Sequence, residues 1–470
     1  MLQIKGALRF LILLLSDLLA IYIANYIGLG IRLLLIAHTP YTVPDNLPPI
    51  LGPFYPSWIW IVFIGMSILQ RLHTSTLSFW EEARKIVNTA LISFIIVTSI
   101  SFIARWYDMD TRFLVVITSL FYIPTVIIIR GLAKYGMYFT KYLTHRTSLI
   151  TDSVESKKIL YEIARKNKSL LINIRQIVVI KNYSQETLNR IKTKISRSNI
   201  DLSIIYLEKA PEEFFTKLVS SIHSSVRRMM VVPNIFSMPL LNSEMMFIIN
   251  QNVPFISLRN NLLIPINRFF KRAFDIIFSI FALVVSLPII GILSLLIILE
   301  SPGWPIYKSR RVKMNGEEFY CYKLRSMYQD AEKRLTEILE KDPSKREEWL
   351  KYRKLKNDPR ITKVGAIIRK LSLDELPQFI NVLIGDMSVV GPRAITKEEI
   401  DKYYKDEAKF YYYAVRPGIT GLWQVSGRNE MDYNFRVRTD IWYVENWSFW
   451  LDIVIILKTI PAVFKSQGAY

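Results

Sequence analysis

Cysteine and histidine are scarce in this sequence. Cys321 is the single cysteine, so no intrachain disulfide can form and an oxidising compartment is not implied. The four histidines are His38, His73, His145 and His223, and none follows the last of these. There is no Cys/His cluster, which excludes a zinc site or a histidine-dependent triad in the C-terminal part. Acidic residues are also in deficit: 61 Lys and Arg face 40 Asp and Glu, a formal charge of +21. Such an excess fits anionic partners, whether nucleic acid, acidic lipid head groups or phosphorylated substrates. Nucleic acid is set aside, because the sequence offers no base-stacking platform or readout helix.

Apolar residues, by contrast, make up 51% of the 470 and come in clusters, which separates a membrane protein from a large soluble core. The length allows two or three domains. Phe10 to Ile31 is apolar except for Asp17; Tyr55 to Leu69, Ile86 to Ala104 and Phe113 to Ile129 carry no charge. Each approaches the ~20 residues a crossing helix needs, the second and fourth being short. The first run is too long for a signal peptide and no small-residue cleavage site follows, so a retained span is expected. Lys5 and Arg9 precede the first span, Arg71, Arg84 and Lys85 separate the second and third, and Arg130, Lys134, Lys141 and Arg146 follow the fourth. Loop 37–50 has no lysine or arginine, and loop 105–112 offsets its two arginines with Asp108 and Asp110. Both ends of this four-helix bundle, over 1–147, are therefore expected in the cytoplasm. Asp17 falls near the cytoplasmic end, within reach of head groups, and a structural role is favoured for it over a functional one.

A fifth apolar stretch, Ile276 to Leu299, would be roughly 36 Å long as a straight helix and could also cross. Two features argue against crossing. Pro288 sits at its middle, where it removes a hydrogen bond and bends the helix. Both flanks are basic, with Arg268, Lys271 and Arg272 before and Lys308, Arg310, Arg311 and Lys313 after, whereas a spanning helix should be asymmetric. The expectation is a re-entrant helix, kinked at Pro288, that returns to the cytoplasmic face.

Residues 148–260 alternate β-rich and helix-like runs. Strand candidates are Ser148–Ile150, Ile174–Ile180, Leu202–Leu207, Met229–Val232 and Val253–Leu258, with helices at Glu155–Arg165 and Glu186–Ile195. This pattern predicts a small parallel, Rossmann-like α/β domain. The turn after its first strand reads Thr151-Asp152-Ser153-Val154, without the glycines a dinucleotide pyrophosphate needs, so a spacer or assembly role without cofactor is expected.

The C-terminal third, 261–470, is dense in signals. Ile306 to Leu324 reads as a hairpin, because Asn315-Gly316 supplies a turn between β-prone flanks. It carries Lys308, Arg310, Arg311, Lys313, Lys323 and Arg325, enough to hold phosphates; alone, it reads more simply as a solvated basic face against acidic lipids. In Arg369-Lys-Leu-Ser-Leu-Asp-Glu-Leu-Pro-Gln378, the adjacent Asp374 and Glu375 are expected to begin a helix. There an aspartate stays ionised and can attack phosphorus, and a glutamate can share a magnesium ion with substrate phosphates. Spacing alone favours a plainer reading, with Ser372-x-x-Glu375 as a capping box and Asp374 as an N-cap. Gly391-Pro392-Arg393 and Arg416-Pro417-Gly418 through Gly427-Arg428 mark tight loops that suit phosphate or nucleotide, each weakly. Trp442, Trp447 and Trp450, with the apolar run to Phe464, read either as an interfacial helix or as a core helix.

Together these residues resemble the bacterial sugar transferase family, the monotopic phosphoglycosyl transferases. The matching blocks are Lys271-Arg272-x-Phe274-Asp275, Tyr322-Lys-Leu-Arg-Ser-Met327, Ser372-Leu-Asp-Glu-Leu-Pro-Gln378, Asn381-Val-Leu-x-Gly-Asp-Met-Ser388, Gly391-Pro-Arg393 and Pro417-Gly-Ile-Thr-Gly421 through Gly427-Arg428. They keep family order over most of 268–470. The four-span start, the middle domain and the ending Gly468-Ala-Tyr470 resemble the long form of the family. Leu287 before Pro288, and Ala394 after Arg393, depart from its usual Ser-Pro and Gly-Pro-Arg-Pro; neither touches the dyad.

The resemblance reverses the capping reading. It implies that Asp374 is the nucleophile, attacking the sugar-linked phosphate of a UDP-sugar, expelling UMP and holding the phosphosugar until undecaprenyl phosphate takes it. Galactose is the first choice of sugar and glucose the next. Glu375 is implied as the Mg2+ ligand, and Lys323, Arg325, Arg369, Arg393 and Arg428 as phosphate and uridine contacts. The same resemblance implies a multi-pass protein of the bacterial inner membrane, with re-entrant helix 274–299 and its catalytic domain on the cytoplasmic face. Anionic lipids are expected partners, and a homo-oligomer is left open. Two other readings remain: a glycosyltransferase that forms a sugar–sugar bond and releases UDP, and a non-catalytic assembly scaffold.

Overall fold

A computed structural model of the chain describes residues 2–38, 57–74, 76–104, 109–198, 200–223, 225–226, 228–232, 240–247, 254–352, 355, 358–426 and 432–464. The chain divides into two units, Met1–Phe236 and Ser237–Tyr470. It is a mixed α/β protein with several apolar helices near its N-terminus.

In the first unit, α1 (Leu2–His38), α2 (Ser57–Leu69), α3 (Phe79–Ala104) and α4 (Met109–Phe139) form where the apolar runs predicted helices. Inward-facing Ala20, Ile21, Ala24, Ile59, Phe63, Ile86, Ala90, Val97 and Val126 make their common core. Outward-facing Leu15, Leu19, Ile61, Leu120 and Leu132 stay exposed, the pattern of helices whose outer faces meet lipid. Segments Lys5–Ile31, Phe79–Ile100 and Val115–Phe139 are long and apolar enough to cross a membrane, whereas Ile59–Leu69 is shorter.

Asp17 is not open to solvent at head-group depth: it is 1% exposed inside this core. Arg130 Nε donates to its Oδ1 at 2.6 Å, and His73 Nε2 lies 2.9 Å from its Oδ2. Arg130 Nη1 also donates to Glu82 Oε1 at 2.9 Å, and Lys134 Nζ to Glu82 Oε2 at 2.7 Å. Paired in this way, the buried charges tie α1 to α3, α4 and the 70–74 turn.

The same unit holds four parallel strands, β1 (His145–Thr151), β2 (Ile172–Val179), β3 (Leu202–Tyr206) and β4 (Arg228–Val231), in the order β2-β1-β3-β4. They are linked by α5 (Val154–Lys166), α6 (Gln185–Arg197) and a helix that the sequence pattern did not reveal, α7 (Glu212–His223). Its Phe214, Leu218 and Ile222, four apart, bury one stripe against the sheet core. Ser153 and Ser184 cap α5 and α6. In the glycine-free turn after β1, the Asp152 carboxylate accepts from the backbone N–H groups of Glu208 and Lys209.

In the second unit, the fifth strand candidate forms as β6 (Pro254–Ser257), but it pairs antiparallel with β5 (Glu244–Phe247) and does not join the parallel sheet. The short connection between the two permits a hairpin and forbids the long crossover that parallel pairing requires. Next comes α8 (Pro265–Glu300), 36 residues running on through Pro288, with Ile277, Phe281, Val284, Leu287, Ile292, Leu295 and Leu299 exposed. It too is long and apolar enough to cross a membrane. The hairpin β7 (Ile306–Val312) and β8 (Glu318–Leu324) comes after it within the expected bounds, with Asn315 at φ 69° and Gly316 at φ 82° in its turn. Then come α9 (Ala331–Lys341), α10 (Pro343–Tyr352), α11 (Lys363–Lys370), α12 (Gln378–Ile384), β9 (Ser388–Val390), α13 (Lys397–Tyr403), α14 (Asp406–Tyr413), β10 (Gly418–Thr420), α15 (Leu422–Val425), α16 (Tyr433–Glu445) and α17 (Phe449–Phe464). Phe319, Cys321, Val382, Met387, Val389, Val390, Tyr443, Trp447 and Ile455 form the main core. α17 contributes Val454 and Ile455 to buried packing, while its Leu457 and Ile460 remain exposed.

Candidate active site

The α8 entry segment supplies the first anchor. Lys271 Nζ donates to Asp452 Oδ2 at 2.7 Å and to the Val390 carbonyl at 3.1 Å. Asp452, 0% exposed, also accepts from Tyr443 Oη and Trp447 Nε1, so its charge is fully bonded. Arg272 donates to the carbonyls of Val382 and Leu383 at the end of α12, where a cation complements the helix dipole. Lys271 and Arg272, read in the sequence as a basic flank and as part of a motif, thus fasten α8 to α12, β9 and α17.

A second anchor joins α12 to the hairpin. Asn381, 0% exposed, accepts from the Tyr322 N–H at 3.0 Å and donates to the Tyr320 carbonyl at 2.8 Å. Sequence reasoning named this residue only as the start of a motif and gave it no role. Its one signal is an asparagine inside a short apolar helix, a poor helix former with no local use for its amide.

Between these anchors the chain turns through Ser372, whose φ of 54° is left-handed, into a single 3-10 turn over Leu373–Glu375. The dyad therefore precedes α12 and does not form its first turn. Ser372 makes no side-chain capping bond, and Pro377, the N-cap of α12, makes none either. The capping-box reading is not realised. Asp374 and Glu375 instead face a cation from the inner face of β8, which also carries buried Phe319 and Cys321. Lys323 Nζ lies 2.7 Å from Glu375 Oε1 and 3.6 Å from Asp374 Oδ2. Arg393 Nη2 approaches the same Glu375 oxygen at 3.4 Å.

Burial pushes the Asp374 carboxyl above the usual aspartate range, and the neighbouring Glu375 charge adds to this. Lys323 opposes the shift most, followed by Arg369 and Arg393. The result is a partly buried carboxylate, more basic than a solvent-exposed one, among three cations. Such a group suits nucleophilic attack on an anionic, phosphorylated electrophile.

Of the other expected contacts, Arg369 lies in the last turn of α11, and its charge acts on Asp374 without a direct bond among the described residues. Arg325 lies just past the end of β8 and is directed elsewhere. Its guanidinium donates to the Ser301 carbonyl at the C-terminal end of α8, packed over Gly303. Arg428 lies outside the described residues. Pro288 stands within α8.

Of the glycines in the loops read as suiting phosphate, Gly391, Gly418 and Gly421 have a packing role, and Gly427 lies outside the described residues. A Cβ on Gly391 would come within 2.5 Å of the Arg416 carbonyl, one on Gly418 within 2.1 Å of the Gly391 nitrogen, and one on Gly421 within 2.2 Å of the Gly391 carbonyl. They let the β9 and β10 backbones pack against each other, and that packing fixes the loop that carries Arg393. Among the described residues no group of three His, Cys, Asp or Glu side chains is placed to hold a metal unaided.

The family model of the bacterial sugar transferases matches residues 266–466, which take in every element of the site. An undecaprenyl-phosphate galactose phosphotransferase of Salmonella typhimurium is 46% identical over 57% of this chain and 56% of that protein. A UDP-galactose-lipid carrier transferase of Erwinia amylovora is 32% identical over 99% of the chain and 98% of its own length. A Haemophilus influenzae sugar transferase is 36% identical over 86% of each.

Proposed function

The chain belongs to the bacterial sugar transferase family, and from that premise we propose that it transfers a hexose-1-phosphate from a UDP-sugar to undecaprenyl phosphate. The names of the Salmonella and Erwinia relatives favour galactose as the sugar, and we take glucose as the next choice and polysaccharide synthesis as the setting. One observation carries the mechanism: Lys323 bridges two carboxylates that are released from any capping role, and Asp374 is the more loosely held of the pair.

In the first step an Asp374 oxygen attacks the sugar-linked phosphorus. The bond from that phosphorus to the bridging oxygen breaks, and UMP leaves with the electron pair. In the second step an oxygen of undecaprenyl phosphate attacks the same phosphorus, and the Asp374 carboxylate is returned. Lys323 and Arg393 balance charge on the phosphate oxygens, and Arg369 adds its field at longer range.

Magnesium fits the donor set at the level of chemistry. Two adjacent carboxylates, with Glu375 the proposed ligand, suit an ion that completes its shell with water and substrate phosphate. When bound it supplies charge neutralisation on the diphosphate. Lys323 and Arg393 lie against the same Glu375 oxygen, Oε1, so they would share that carboxylate with the ion if it binds.

For the membrane arrangement we propose a multi-pass inner-membrane protein with its catalytic unit on the cytoplasmic face, where UDP-sugars are made. Basic residues on both sides of α8 support a re-entrant helix, and the parallel β2-β1-β3-β4 order supports a Rossmann-like middle domain. The deciding experiment incubates the purified full chain with UDP-galactose labelled in the sugar and quenches in acid. Label should be retained on the wild-type protein and absent from Asp374→Asn, with UMP as the nucleotide product and ping-pong kinetics. Release of UDP, or sequential kinetics without an adduct, would sink the mechanism.

A further inference from the structure

The first unit contains a cavity of about 270 Å³ that the proposed transfer does not use. It opens at the N-terminal edge of the parallel sheet, where His145 begins β1, Leu171 precedes β2, Asp201 precedes β3 and Arg228 begins β4. Dinucleotide crevices lie at the opposite, carboxyl edge of such sheets, so this is a different kind of place. Its other walls come from α1 through Arg9, from α4 through Lys134 and from the turn after α2 through His73 and Thr74.

The charge on these walls is unbalanced. Arg9, Lys134 and Arg228 line the cavity together with a single acid, Asp201. Arg228 donates to Thr76 Oγ1 and to the Thr74 carbonyl, both at 2.6 Å, which are neutral acceptors. The Arg9 Nη1 atom sits 2.8 Å from both ring nitrogens of His145, again a neutral partner. Among the described residues, Lys134 is the one of the three cations with a carboxylate at ion-pair distance, Glu82, while the Asp201 charge acts on Arg9 without such a contact. Burial first, and then the charges of Arg9, Arg228 and Lys134, push the His145 pKa down to about 3. The imidazole is thus held neutral by its burial first and by the surrounding positive charge second. His73 Nδ1 and Asp201 Oδ1, on residues that line the cavity, are buried polar atoms with no hydrogen-bond partner among the described residues.

Two guanidinium groups and an ammonium that outnumber the one lining acid in a partly open cavity favour an anion, and forked N–H donors of this type match tetrahedral oxyanions. We propose that this cavity is a phosphate-binding site, held by Arg9 and Arg228 with Lys134 in support, separate from the catalytic dyad. The phosphate can belong to a phospholipid head group, since α1 and α4 carry apolar outer faces, or to a free phosphorylated small molecule. The recognition chemistry is the same for both.

The test uses the purified full chain in nanodiscs. One arm uses phosphatidylcholine discs titrated with inorganic phosphate, with bound phosphate counted by equilibrium dialysis. The other uses discs containing phosphatidylglycerol, with native mass spectrometry for retained lipid. Saturable inorganic phosphate marks the free source, and retained phosphatidylglycerol marks the lipid source. Either supports the site if Arg9→Gln and Arg228→Gln each weaken binding by about tenfold, as loss of a charge-assisted hydrogen bond predicts. Asp201→Asn removes the one lining acid and should tighten binding, a gain that a misfolded variant does not give. No saturable binding in either arm, or binding that all three variants leave unchanged, would overturn the proposal.

Discussion

The ammonium of Lys323 lies 2.7 Å from Glu375 and 3.6 Å from Asp374, so one cation serves both acids of the dyad. Its removal has a signed consequence. Burial and Glu375 raise the Asp374 pKa, and Lys323 is the largest influence against them. In Lys323→Met the upward causes act with less opposition, and Asp374 protonates at higher pH. The acid limb of kcat/KM should move to higher pH, and the rate at neutral pH should fall about 10- to 100-fold. A pH–rate profile in which the acid limb stays in place would show that ionisation of Asp374 does not gate attack.

Asn381→Leu keeps the bulk but deletes both bonds from α12 to β8, leaving the Tyr322 N–H and the Tyr320 carbonyl without that partner. A loss of about 1–3 kcal/mol is expected for each buried polar group left unsatisfied. A thermal scan of the detergent-solubilised chain should record it. Because Lys323 adjoins Tyr322, the transfer rate should fall as well. Unchanged stability would mean that the hairpin is held by its apolar contacts alone.

Gly391→Ala and Gly418→Ala each press a methyl group into backbone atoms 2.1–2.9 Å away. Each should destabilise by about 3 kcal/mol, because no flexible side chain is there to yield. Gly291→Ala is the matched control: nothing lies within 4 Å of a Cβ at that helical position. Comparable Tm values for all three variants would contradict the close packing of β9 on β10.

Lys271→Met strands the fully buried Asp452 without its cation. The expected cost is about 3–5 kcal/mol, and the double variant Lys271→Met with Asp452→Leu should recover much of it. A double-mutant cycle on thermal stability measures the coupling. Simple additivity would show that Tyr443 and Trp447 suffice to hold Asp452.

Pro288→Ala restores a backbone donor in the middle of α8. If the proline sets a re-entrant path, a straightened helix is long enough to cross, and part of the population should place the hairpin and the dyad on the far side, against the positive-inside bias. Single cysteines at 268 and 308 in a Cys321→Ser background report this through an impermeant reagent added outside. Protection of both positions in the parent, and partial labelling at 308 in the variant, is the expected pattern. Unchanged labelling with full activity would assign the topology to the flanking charges alone.

Much of the architecture is local in origin and could be read along the chain. Apolar runs gave the four N-terminal helices and α8, β-prone flanks around Asn315-Gly316 gave the hairpin, and alternating runs gave four parallel strands. Hydrophobic periodicity and turn chemistry act over a few residues, which is why they show in one dimension. The Asp374-Glu375 pair could be found in the same way, but not its role, because spacing fits a capping box as well as a nucleophile.

Contacts between residues far apart in the chain decided the rest. Lys323 and Arg325 are two residues apart in one basic motif, yet Lys323 reaches the dyad while Arg325, beyond the strand's end, turns to the carbonyl of Ser301. Gly391 and Gly418 look like ligand loops until their backbones are seen pressed together. Asp17 looks accessible from its place in the run, and is instead enclosed by Arg130 and His73. The cavity around Arg9, His145 and Arg228 has no sequence signature, because its walls come from separate helices and strands spread from Arg9 to Arg228. Composition and periodicity set which faces are apolar and where charge accumulates. Which charges meet, and which are left without a counter-ion, depends on the packing that brings distant segments together.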